Sequence, residues 1–83
     1  MPREQRILCL AALGPMTAAI KAQRALLGGG IKAEVEALSP TESRRGCAYG
    51  VSFPCEKRDH ARALFRSAGI PVVQYMQREQ KLP

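Results

Sequence analysis

The chain has 83 residues, enough for one core and no second one. With 46% hydrophobic and 24% charged residues it has a globular composition rather than a disordered one; four aromatic residues and no Trp leave the core to Leu, Ile, Val and Ala. Thirteen Lys and Arg against seven Asp and Glu give a net charge of +6, which favours anionic partners without naming one.

Arg3 and Arg6 followed by the apolar run Ile7 to Leu13 imitate a signal peptide, but the run is short and Glu4 dilutes its basic end. A buried strand over residues 6–13 is the better expectation, and no segment is long enough to span a membrane. Gly14 and Pro15 stop this strand, with Pro15 suited to the first position of a helix. Met16, Ala19, Ile20, Leu26 and Leu27 recur at helical spacing, and Gly28-Gly29-Gly30 caps the helix they define. A half-buried strand follows, with Ile31, Ala33, Val35 and Ala37 facing one way and Lys32, Glu34 and Glu36 the other.

Ser39 to Gly46 is polar and reads as a loop, and Ala48 to Phe53 reads as a third strand. A second helix is expected from Cys55 to Ala68, with Ala61, Leu64, Phe65 and Ala68 on its apolar face and Gly69 as its cap. Ile70 to Met76 is the fourth strand, an edge strand because of Pro71, and the last polar residues, 77–83, fray. The expected fold is α+β: a ferredoxin-like βαββαβ domain, with an antiparallel sheet ordered 4-1-3-2 and two helices on one face. It is a single domain over 1–83 with its core at about 6–76. Each half carries a helix, a glycine cap and a strand beginning with Ile, at Gly30-Ile31 and Gly69-Ile70.

Three cysteines permit at most one intramolecular disulfide. There is no CxxC pair, and the lone His60 has no metal-ligand spacing to any Cys, so neither metal nor cofactor is expected. The pattern suits a reducing cytoplasm. In a sheet of the expected order the third strand begins where the first one ends. Cys47 then falls near Gly14 to Thr17, at the start of the first helix, where free N–H groups and the helix dipole favour an anion. Arg44, Arg45 and Gly46 adjoin it, and all of these features favour a thiolate. Cys55, expected at the start of the second helix, is the rival thiol. It lies at the far end of the third strand, too distant from Cys47 to pair with it. Cys9 reads as a buried packing residue, so each thiol is expected to act alone.

The segment from Pro40 through Cys47 to Phe53, with the Gly-Ile elements at Gly30-Ile31 and Gly69-Ile70, resembles the selenium/sulfur carrier family of small bacterial proteins. The likeness covers most of residues 6–76. It implies Cys47 as the atom that carries sulfur or selenium, and donor and acceptor proteins as partners. Arg45 and Gly46 stand where that family has serines, and Ala48 where it has glycine.

Two other classes bear comparison. Arg45-Gly46-Cys47-Ala48-Tyr49-Gly50-Val51-Ser52 partly matches the RNA-recognition segment basic-Gly-aromatic-Gly/Ala-aromatic-aliphatic-any-aromatic, agreeing at Arg45, Gly46, Ala48 and Tyr49 and failing at Cys47, Gly50 and Ser52. It lacks aromatics at Cys47 and Ser52, and the first strand supplies none, which disfavours nucleic acid. A regulatory module that forms a homodimer through the sheet face bearing Leu8, Leu10 or Val72 is the other class. A conventional enzyme is not expected. His60 lies among solvated charges, Glu34 and Glu36 face outward from a strand, and the triple glycine ends a helix instead of opening one.

Overall fold

The computed structural model describes residues 5–39 and 48–81. The first strand, β1 (Gln5–Gly14), leads into helix α1 (Met16–Gly28) and a short strand β2 (Glu34–Ala37). After β3 (Tyr49–Pro54) come a 3-10 turn (Cys55–Lys57), helix α2 (Arg58–Ser67) and β4 (Gln74–Lys81). The four strands form one antiparallel sheet in the order β2-β3-β1-β4, so β1 and β3 are central.

Alternation along β1 divides its side chains between two faces. Cys9, Ala11 and Leu13 join Val51 and Phe53 of β3, and onto this face both helices pack: Ala19, Ala22 and Leu26 from α1, Ala61 and Phe65 from α2. All four aromatic residues belong to this side. Phe53 and Phe65 are buried in the cluster, and Tyr49 and Tyr75 pack against it. Phe53 and Phe65 meet edge to face at 6.2 Å, Tyr75 lies 6.5 Å from Phe65, and the Arg62 guanidinium sits 5.4 Å above the Tyr75 ring.

The two helices end alike. Beyond α1, Gly30 takes φ +85° and Ile31 N–H donates to the Leu26 carbonyl at 2.8 Å; beyond α2, Gly69 takes φ +68° and Ile70 N–H donates to Phe65 at 2.9 Å. These are six-to-one closures that need a left-handed residue, and each brings a buried Ile back over the core. The likeness between the halves is therefore structural. Gln23 of α1 donates to the Ala33 carbonyl at 3.0 Å, tying the helix to the approach to β2.

Several expectations need correction. The ladder of β2 begins only at Glu34, although Ile31 and Ala33 are buried as the alternation requires. On α1, Met16, Ile20 and Leu27 are exposed and the buried stripe is Ala19, Ala22, Leu26; the apolar character of the helix exceeds the width of its contact. Pro15 precedes α1 as its N-cap instead of opening it. Cys55 lies in the 3-10 turn, so the α-helix starts three residues later than expected, and Ala68 is exposed at its end. The largest difference is β4. Residues Ile70 to Val73 only approach the sheet, and the polar stretch expected to fray pairs along β1 as far as Lys81 opposite Gln5. Backbone pairing to a ten-residue partner does not need apolar side chains on an edge strand, which is why periodicity missed it.

The β1–β3 approach leaves no room at Gly50. A Cβ there would collide with the Ala11 carbonyl oxygen, on a backbone held by strands on both sides. Gly50→Ala is expected to destabilise the protein by roughly 2 kcal/mol, the scale of an overpacked core, in urea unfolding; a midpoint equal to wild type would contradict this contact. Burial raises the Tyr75 phenol above its ordinary value, against the opposing pull of Arg62 and Arg66. A raised pKa in the folded state stabilises below the unfolded value of about 10 and is lost as pH climbs through the folded one. Tyr75→Phe should therefore lose less stability than wild type between neutral pH and pH above about 10.

Candidate functional site

The end of β1, the start of α1 and the start of β3 meet at one corner of the sheet. The register slips between Ala12 and Gly14, so that Ala12 faces Gly50 while Gly14 faces Tyr49. Gly14 takes φ +128°, a conformation that side-chain-bearing residues rarely adopt, and the bulge turns the chain out of the sheet into α1. Pro15 caps the helix with its carbonyl alone, accepting from Ala18 at 3.0 Å and Ala19 at 3.2 Å. There is no side-chain cap and no acidic residue in the first turn. This helix start keeps its positive character uncompensated by its own side chains.

Of the expected site residues, Gly14 and Thr17 are at this corner. Thr17 is exposed and lines an open cleft of about 400 Å³ with Leu13, Ala18, Lys21, Gly69, Ile70 and Pro71. Arg44, Arg45, Gly46 and Cys47 lie outside the described residues. The structure describes both ends of their connection. Leu38 N–H donates to the Ala48 carbonyl at 2.8 Å, and the next residue, Tyr49, pairs with Gly14. The expected antiparallel relation of strands one and three is observed.

Cys55 is at the other end. It follows Pro54, which pairs with Leu8, six residues back along β1 from Gly14 and so roughly 20 Å away. It opens the 3-10 turn that runs into α2 and does not lie in the α-helix itself. It is disulfide-bonded to Cys9, with Cα atoms 4.9 Å apart. Cys9 is thus more than packing, and the expectation that every thiol acts alone is overturned. Once paired, neither sulfur titrates. Closing a loop of 46 residues constrains the unfolded chain by about 4 kcal/mol on the chain-entropy view. The signal for this pair was in the topology. A first strand set against the third places Cys9 opposite Phe53, two residues from Cys55.

The other readings meet the same geometry. Tyr49, the ring of the partial RNA-recognition match, packs on the helix side with every other aromatic, so the helix-free face offers no ring for base stacking. That face carries Leu8, Leu10 and Ala12 of β1, and Leu10 and Ala12 are each only 1% exposed; Val72 packs on the opposite side. Among the described residues, little apolar surface is exposed at the centre of that face. Glu34 and Glu36 line a separate cleft on the helix-free face with Lys32 and Ser52, and His60 is exposed. Among the described residues no group of His, Cys, Asp and Glu is placed to hold a metal ion, and no helix is long and apolar enough to cross a membrane.

Comparison with curated proteins and with solved structures returned no match. The profile of one protein family, described as Putative Se/S carrier protein-like, matches residues 8–77, from the middle of β1 into β4, and takes in Cys47 and the corner formed by Gly14, α1 and Tyr49. The chain belongs to this Se/S carrier-like family.

Proposed function

We propose that this protein carries sulfur or selenium on Cys47 as a persulfide or selenopersulfide, in a ferredoxin-like βαββαβ domain of the cytoplasm. Membership of the carrier family supports the chemistry. The strand order, read from the β4 edge as β4-β1-β3-β2, supports the architecture. The observation that carries the assignment of the atom is the Gly14–Tyr49 pairing, because Cys47 precedes Tyr49 by two residues and Gly14 opens onto the uncapped start of α1.

In this reading the Cys47 thiolate attacks the outer sulfur of a donor protein's persulfide. A bond forms between Cys47 Sγ and that sulfur, the donor's S–S bond breaks, and the donor cysteine leaves as a thiolate. Unloading is the same displacement by an acceptor thiolate on the terminal sulfur, which returns Cys47 as thiolate. Neither step changes the net oxidation state, so no cofactor is required. The N–H groups of Met16 and Thr17, with Arg44 and Arg45, stabilise the thiolate and the loaded anion. The +6 charge favours acidic surfaces on donor and acceptor. The Cys9–Cys55 pairing supports Cys47 over Cys55, since it leaves one thiol over from three.

On folded, unreduced protein, alkylation followed by peptide mapping should find a single fast thiol, Cys47, with a midpoint below the ordinary value of about 8.5. Cys47→Ser should remove it without altering the melting curve. Thr17→Asp places a carboxylate in the first turn. It should raise the Cys47 midpoint and slow its alkylation at neutral pH, while stabilising the helix by about 0.5 kcal/mol. A Cys47 midpoint at or above about 8.5 in the wild type would overturn the proposal.

A further inference from the structure

The Cys9–Cys55 pair has no part in relay at Cys47, and its two sulfurs differ in access. Cys9 is 1% exposed, inside the cluster between sheet and helices. Its backbone is laddered on both sides, opposite Phe53 of β3 and Gln77 of β4. Cys55 is half-buried and lies beyond the last β1–β3 pair, in the 3-10 turn. It lines an open cleft of about 560 Å³ with Ile7, Pro54 and Glu56. A disulfide is exchanged by a thiolate that reaches one of its sulfurs, so the rate depends on which sulfur is accessible. Of the two, Cys55 lines a cleft and Cys9 is buried. The buried sulfur stays in place with its strand, while the turn carrying the other has no ladder to hold it.

We propose that Cys9 and Cys55 form a thiol–disulfide exchange site that cycles against small thiols of the glutathione class, with Cys55 as the exchanging sulfur and Cys9 as the resolving one. In reduction, a glutathione thiolate attacks Cys55 Sγ, the Cys9–Cys55 bond breaks and Cys9 leaves and takes a proton. A second glutathione thiolate then attacks the glutathione sulfur of the mixed disulfide. This releases Cys55 as a thiolate together with glutathione disulfide. Oxidation is the reverse: Cys55 thiolate attacks glutathione disulfide and releases one glutathione, and Cys9 displaces the other from Cys55. Two electrons pass between the protein dithiol and one glutathione disulfide. The oxidised state leaves Cys47 as the leftover thiol; the reduced state adds Cys55 as an accessible competitor.

This site does not depend on the reading of Cys47, and it is tested in the Cys47→Ser protein so that the two can fail separately. The folded full-length variant is equilibrated at stepped ratios of glutathione to glutathione disulfide, quenched, alkylated and mapped by peptide mass. Cys9 and Cys55 should convert together in one two-electron transition. Reduction should lower the melting temperature by at least about 10 °C, as loss of a cross-link over 46 residues implies for a domain of this size. In the same background, Cys9→Ala should accumulate glutathione on Cys55, whereas Cys55→Ala should leave Cys9 unmodified while folded. Independent modification of the two cysteines would overturn the proposal, and so would a pair that stays in one redox state at every ratio. The mapping of the intact pair decides the matter even if the Cys9→Ala variant does not fold.

Discussion

The register between β1 and β3 is the constraint on which the rest depends. A side chain at Gly50 would collide with the Ala11 carbonyl, so this close approach of the two strands requires glycine there, and from their alignment both chemically notable corners follow. At one end the alignment sets Tyr49 against Gly14, beside the start of α1. At the other it brings the 3-10 turn after β3 over β1, where Cys55 meets Cys9. A slip of one residue would turn Cys9, Ala11 and Leu13 out of the helix-side cluster and separate both pairs.

The sheet then divides labour between its faces. Both helices and every aromatic ring are on one side, closed by two matched glycine caps that return Ile31 and Ile70 to the core. Among the described residues, the other side exposes little apolar surface at its centre. Chemistry is left to the ends of the strands, where backbone donors, bulges and turns interrupt the ladder.

Much of this was legible in the chain. The continuous apolar run announced β1, Gly14-Pro15 its end, and the two Gly-Ile pairs the helix caps, because each of these is a local signal with a local cause. The antiparallel relation of the first and third strands followed from element order. Ile20 and Leu27 misled because apolar character does not say how wide a contact will be, and Ala68 did so because a helix end can lie past its packing face. The extension of β4 to Lys81 comes from backbone pairing with β1 and leaves no apolar trace in a polar segment. The Cys9–Cys55 bond needed the register that sets Cys9 opposite Phe53 as well as the order of the strands, and element order alone does not give that register.

The central claim is that one of three cysteines takes up the transferred atom. Intact-mass analysis of the folded, unreduced protein after exposure to a persulfide donor, followed by peptide mapping, tests it most directly. The account predicts the gain of a single sulfur, carried on the peptide that contains Cys47. Sulfur found on Cys55 with Cys47 unmodified, or no gain at all, would contradict it.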